Sequence, residues 1–335
     1  MRVPRIFLKC ILLSALLITA AAFASAEKNV MDEGIEAFYA ARYQQAEAYF
    51  QARLEDSEVK VEALMYLSRI ALARGDTEQA VEHIEEAIEI SANNIEALIL
   101  AGDVYCQHAQ DLSIFRALKT AKRCIAQYES VTELDSENIE ALMAATRFHL
   151  HAPSVAGGSN KKAREYKEKL IQLSREHGIA VKIEWHEKEG EREAALKLAD
   201  HLTENGIEFA QNQYDIGKYY RDVEAYDKAL PLFEALSARE KTYPHQWIIH
   251  DSLLQAGEIY IKQGEDIAKG VALIEAYKQV NNNPHDVHYF WSTWSLAKGY
   301  KALGRKDKYE ALVSDIQSQE YSRDKAFAKE FEGAL

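Results

Sequence analysis

The segments "GIEAFYAARYQQAEAYFQARLEDS", residues 34–57, and "SRIALARGDTEQAVEHIEEAIEIS", residues 68–91, lie on one another at a shift of 34 positions. In each, a small residue is followed twelve positions later by alanine and four later again by a large apolar residue. Gly34, Ala46 and Phe50 in the first become Ser68, Ala80 and Ile84 in the second. The small pair has a physical purpose, because two antiparallel helices cross closely only where both facing side chains are small.

Carried onward, the small position of the first helix falls at Gly102, Thr146, Ile183, Gly217, Gly257 and Ala297. Its partner on the second helix falls at Cys124, Ala163, Ala195, Ala229, Gly270 and Tyr309. Ile183 and Tyr309 are too large for the rule, which makes the fifth and last units the weakest matches. Tyr105, Tyr220, Tyr260 and Tyr300 each follow a small position by three residues. Gly75, Gly190, Gly264 and Gly304 stand at the turn between helices, where a left-handed backbone favours glycine. An ordinary amphipathic bundle imitates one such unit, but not consecutive units in register.

These marks resemble the tetratricopeptide repeat, a helix-turn-helix unit of 34 residues. The resemblance implies an all-α, right-handed superhelical solenoid of about eight units over residues 27–320. The expected repeats are about 27–60, 61–94, 95–138, 139–175, 176–209, 210–249, 250–289 and 290–320. Residues 321–335 then read as the polar-faced helix that a solenoid needs over its last open face.

Two repeats are too long. In the third, 22 steps separate Gly102 from Cys124 in place of twelve. Ile114, Leu118, Ala121, Ile125 and Tyr128 carry one apolar face across the excess, and Ser113 is placed to cap it. The reading is a long second helix projecting about 15 Å at 1.5 Å per residue, covered by a lengthened first helix rather than by a partner. In the fourth, the surplus is the turn "HAPSVAGGSNKKA", residues 151–163. Pro153 stops one helix, Gly157 and Gly158 permit positive φ, and Ser159 or Asn160 caps the next. A glycine loop entering a helix is a general anion site, but the stretch lacks G-x-x-x-x-G-K-[ST] and a preceding strand. A structural turn is the first reading, with Pro153, Gly157 and Gly158 as a partner-contacting loop the second. The turn is also similar to one in some small periplasmic repeat proteins, including the T component associated with TRAP transporters.

The amino terminus is of another kind. Arg2, Arg5 and Lys9 precede the apolar run "CILLSALLITAAAF", and Ala24-Ser25-Ala26 fits the small-x-small cleavage pattern, so residues 1–26 read as a secretory signal peptide. The run is shorter than the ~20 residues of a spanning helix, and none follows that is long enough. Its removal takes three positive charges and no negative ones, moving the formal charge from −13 to −16. That balance argues against nucleic acid or an anionic membrane as partner. The expected location is the periplasm. There Cys106 and Cys124, the two remaining cysteines, have the opportunity for a disulfide, with plain apolar packing as the alternative.

In the resembling family, ligands lie along the concave face, at the second, fifth, ninth, twelfth and thirteenth positions of each first helix. Counting gives Gln211, Tyr214, Lys218, Arg221 and Asp222 in repeat six, Asp251, Leu254, Glu258, Ile261 and Lys262 in repeat seven, and Trp291, Trp294, Lys298, Lys301 and Ala302 in repeat eight. Tyr214, Lys218, Arg221, Glu258, Trp291, Trp294, Lys298 and Lys301 are the candidate binding residues, rings beside cations that would take peptide carboxylates. The family's carboxylate clamp is missing, since Met31 and Ile35 occupy its first-repeat lysine and asparagine positions.

Chemistry-bearing patterns are sparse. His285 and His288 stand three apart and His186 precedes Glu187, but HExxH and G-x-S-x-G do not occur. The expectation is a non-catalytic protein- or peptide-binding scaffold or adaptor of the cell envelope, with no cofactor and no metal. A small-solute-binding component beside a transporter is the alternative.

Overall fold

The computed structural model describes residues 31–239, 246–281 and 288–335. The expected signal peptide and His285 lie outside them. Seventeen α-helices and no strand occur among the described residues, as eight helical hairpins followed by one helix. The hairpins are α1 Asp32–Tyr39 with α2 Tyr43–Gln51, α3 Lys60–Ala73 with α4 Thr77–Ile90, α5 Ile95–His108 with α6 Ile114–Leu134, and α7 Ile139–His151 with α8 Asn160–Leu173. There follow α9 Arg175–Glu189 with α10 Arg192–Glu204, α11 Ala210–Asp222 with α12 Tyr226–Ser237, α13 Gln246–Gln263 with α14 Ile267–Val280, α15 Tyr289–Ala302 with α16 Lys306–Gln317, and the closing helix α17 Lys325–Ala334.

Six of the eight hairpins close by the same device. Seven residues after the small position the backbone is left-handed, at Ala41 (φ 54°), Gly75 (77°), Gly190 (76°), Glu224 (63°), Gly264 (73°) and Gly304 (71°). Where this turn is complete, the next amide reaches back to the carbonyl three residues after the small position, as Asp76 N–H does to Ala71 at 2.9 Å and Ala225 N–H to Tyr220 at 2.8 Å. That bond satisfies a carbonyl the helix end would leave orphaned. Gly190 stands seven residues after Ile183, so the fifth repeat is in register despite its large residue. Ile183 is buried against the small Ala195, which takes up the extra volume.

The crossings are as close as the small residues permit. A methyl group added at Gly217 would stand 2.9 Å from the Phe233 ring, and one at Gly257 would stand 2.8 Å from the Gly270 carbonyl. At Gly102 it would run into the Tyr128 ring.

The four tyrosines join each repeat to the one before. Tyr220 donates its hydroxyl to Asp200 of the preceding repeat at 2.8 Å, Tyr260 to Glu234 at 2.6 Å, Tyr105 to Glu85 at 3.3 Å, and Tyr300 to Glu275. In all four, a cation from the tyrosine's own second helix pairs with the acid and sits by the ring. Lys228 lies 2.7 Å from Asp200 and Lys269 lies 2.5 Å from Glu234, while Arg123 and Lys308 fill the same place beside Tyr105 and Tyr300. Ring, hydroxyl and charge thus act across one seam, where exposed ion pairs alone contribute little.

The third repeat departs from expectation in the length of its projection and in what covers it. In the third, the 3₁₀ turn Ala109–Asp111 absorbs part of the surplus, and Thr77 Oγ1 ties it to the preceding repeat by donating to Asp111 at 2.7 Å. The second helix therefore starts at Ile114 and projects by about two turns, ~10 Å, not 15 Å. The first helix α5 is not lengthened; cover comes instead from the fourth repeat, whose Pro-Gly turn lies on α6, Gly157 beside Ile125 and Lys122. The tip stays bare, with Ile114 71% and Phe115 85% exposed.

Candidate functional site

The stretch at residues 151–163 is a closed turn. The amides of Ala156 and Gly158 both donate to the Pro153 carbonyl, at 2.9 and 3.1 Å, and Gly157 donates to Ser154 at 3.0 Å. Ser159 caps α8 by accepting from Lys162 N–H at 3.3 Å. Gly157 has φ 105°, and any side chain at Gly158 would meet the Ala152 carbonyl. Three of the loop's amides, those of Ala156, Gly157 and Gly158, are thus spent on its own carbonyls. Pro153 and Val155 are exposed on this rim.

The candidate residues of the last repeat change role. Trp294 is 2% exposed; its indole N–H donates to Glu330 at 3.2 Å and its ring meets Phe331 edge to face at 5.2 Å. Trp291 donates to Asp324 at 2.8 Å and packs on Phe327 at 5.3 Å. Lys298 pairs with Glu330 at 3.2 Å, and Lys301 lies 5.1 Å from the Tyr309 ring centroid. Trp291 and Trp294 therefore do not line an open groove. A terminal repeat exposes an apolar face, and α17 buries it with Phe327 and Phe331, four residues apart on one side of the helix.

Repeats six and seven divide. Arg221 donates to Asp222 at 2.8 Å and to Gln255, and Lys218 sits 5.5 Å from the Tyr214 ring centroid. Glu258 accepts from Ser295 Oγ at 2.7 Å, and burial raises its carboxyl above the usual range. Arg221, through Gln255, and Glu258, through Ser295, thus join neighbouring repeats, while Lys218 stays within its own helix. Tyr214 does face the interior, donating its hydroxyl to Asp251 and meeting the Trp247 ring edge-on at 5.4 Å.

Tyr214 and Asp251 open on a channel of about 630 Å³. Its other wall comes from the first four repeats, so the array curls until its first hairpin faces its seventh. Phe38, Tyr43, Ile99 and Leu100 line one side; Trp247 and Tyr277 line the other. Trp247 is 51% exposed there, an indole held at a wall with half its surface uncovered. Between the walls stand Glu96, Asp103, Glu140 and Asp251, with Arg69 the one lysine or arginine lining the channel among the described residues. Asp103 reaches solvent inside the channel yet is walled round by protein, and that desolvation pushes its pKa up to about 6 despite a 2.6 Å hydrogen bond from Tyr128.

Glu96, Ile99 and Asp103 are the second, fifth and ninth residues of the third repeat's first helix, and Glu140 is the second of the fourth's. The signal was available. Glu-Ala-Leu recurs at residues 62–64, 96–98 and 140–142, and the count that yielded Tyr214 yields these acids when applied to the earlier repeats.

Beside the channel, a second cavity of about 470 Å³ continues the concave face through repeats four to six. Its Arg147 is held between Glu184 and Asp215, 2.7 Å from each. Elsewhere, the Cys106 and Cys124 sulfurs are bonded, joining α5 to α6. His186, Glu189 and Glu191 gather at the fifth repeat's turn, where His186 is already hydrogen-bonded to Glu191 at 2.6 Å.

Residues 31–95 match the tetratricopeptide repeat family model. The same small pairs and left-handed turns recur beyond that segment, so the fold is an all-α solenoid of the tetratricopeptide-repeat type. Solved structures to which the chain is similar include a tetratricopeptide repeat protein from Parabacteroides merdae, 12% identical, covering 81% of this chain and 98% of that one at a TM-score of 0.46. TTC0263, a thermophilic repeat protein of Thermus thermophilus, is 13% identical over 75% of this chain and 98% of its own, at 0.41. YrrB, described as having an unusual peptide-binding site, is 18% identical over 76% of this chain and 99% of its own, at 0.31. No curated protein matches the sequence. No helix among the described residues is long and apolar enough to cross a membrane.

Proposed function

We propose that this chain is a non-catalytic scaffold that binds a polypeptide segment in the channel between its first and seventh repeats, and that it works in the periplasm or cell envelope. The observation that carries the reading is Trp247, half uncovered at the wall of a cavity built from both ends of the array. Exposed rings on a rigid concave face bury area at little entropic cost, which is what binding an extended chain requires. The envelope location is supported by the composition of residues 1–26 and by the Cys106–Cys124 bond, which suits an oxidising compartment. Cross-linking mass spectrometry on intact cells tests it. One recurrent polypeptide linked at residues around the channel is expected, and its repeated absence counts against the reading.

The channel's volume also falls within the ~300–1,000 Å³ of small-molecule sites, which favours a second reading as a solute-binding component beside a transporter. A thermal-shift screen separates the two, because a small solute that raises the unfolding temperature supports the second.

A further inference from the structure

We infer that the channel selects a cationic polypeptide segment, one carrying lysine or arginine, with the charged heads among Glu96, Asp103, Glu140 and Asp251 and the aliphatic stems against Trp247 and Tyr214. The inference rests on the peptide-binding reading above and reverses the sequence-based expectation of a carboxylate-binding face.

Three observations carry it. First, among the described residues four carboxylates line the channel against one guanidinium, Arg69. Helix N-termini explain Glu96 and Glu140, the second residues of their helices. They do not explain Asp103, two turns into α5, or Asp251, the sixth residue of α13. Second, three cations of the concave face are already paired: Arg147 with Glu184 and Asp215, Arg221 with Asp222, Lys298 with Glu330. An incoming carboxylate would meet acids at the channel and would compete with carboxylates already held by these three cations. Third, Trp247 and Tyr214 stand edge to face beside Asp251, giving an apolar wall next to a charge. Long basic side chains use that pairing, laying their methylenes on a ring and their head against an acid or a π-face. The chain's net charge of −13 steers in the same direction, favouring encounter with basic segments.

The test titrates the full mature chain with matched short peptides differing only in carrying lysine, glutamine or glutamate, and with free spermine. Binding is read by calorimetry and by the Trp247 emission, assigned against Trp247→Phe. The lysine peptide is expected to bind at least tenfold tighter than the glutamine peptide, to weaken steeply with added salt, and to lose its advantage in Asp103→Asn/Glu140→Gln. Equal binding of lysine and glutamine peptides overturns the charge selection and leaves peptide binding standing. Preference for glutamate overturns it outright. Spermine binding as tightly as the lysine peptide overturns the polypeptide assignment, and binding of none of the four overturns both readings. Should the double variant fail to fold, the salt dependence decides: affinity for the lysine peptide indifferent to salt contradicts the inference.

Discussion

The Tyr220 hydroxyl donates to Asp200 at 2.8 Å, and Lys228 closes the triangle at 2.7 Å from the same carboxylate oxygen. The arrangement recurs at Tyr105, Tyr260 and Tyr300, so it belongs to the seam between repeats. Tyr220→Phe keeps the ring and deletes the hydrogen bond. The expected cost is about 1–2 kcal/mol, since the acceptor is charged, read as a lower urea midpoint. Tyr220→Ala also opens a cavity and is expected to cost about 3 kcal/mol or more.

The left-handed turn gives substitutions of opposite sign. Gly264→Ala places a side chain at φ 73°, with nothing within 4 Å of it, so its effect is conformational alone. The expected loss is about 1 kcal/mol. Gly333→Ala, also in open space but in helix α17, is expected to gain a few tenths to ~1 kcal/mol by helix propensity. Thermal unfolding of the two variants side by side checks both signs.

Asp103 makes stability depend on pH. In the folded chain it holds its proton up to about pH 6, whereas an unfolded aspartate releases it near pH 4. Between those values the folded state binds the extra proton, so this group's contribution falls as pH rises through the window. Tyr128, Glu140 and Arg69 face it; Glu140 adds to the rise, while the Tyr128 hydrogen bond and Arg69 oppose it. Glu129, Glu184, Asp200 and Glu234 are held below the usual range and act with the opposite sign, so only a comparison of variants isolates Asp103. Asp103→Asn is expected to gain on the parent between pH 5 and pH 7.5 when urea midpoints are compared. A constant difference between the two proteins contradicts the assignment.

The bond between Cys106 and Cys124 closes a short loop whose ends are 18 positions apart. Chain-entropy arguments put its contribution at about 3 kcal/mol. Reduction, or replacement of both cysteines by serine, is expected to lower the denaturation midpoint accordingly. The loss should centre on the third repeat, where hydrogen exchange would quicken first, because a solenoid's repeats depend mainly on their neighbours.

How much of this was legible in sequence follows from what each feature depends on. The hairpins were readable because a close helix crossing and a left-handed turn each need a particular residue type at a fixed offset, as at Gly217 with Ala229 and at Gly264. The 3₁₀ turn at Ala109–Asp111 was not, since nothing at those residues distinguishes it from continued helix. Rings and lysines drew the binding face toward Trp291 and Trp294, although Phe327 and Phe331 already announced a helix that would cover them. The channel was hidden for a different reason. That Phe38 faces Tyr277 depends on rotation accumulated over six hairpins, and no local pattern encodes that sum.

The most direct test of the account replaces Trp247 with a photoreactive phenylalanine and irradiates intact cells, with the same label at Phe115 on the exposed rim as the comparison. The expected result is a covalent adduct from position 247 to one polypeptide, mapped by mass spectrometry to a lysine- or arginine-bearing stretch. An adduct from position 115 and none from 247 would place the partner on the rim and contradict binding in the channel.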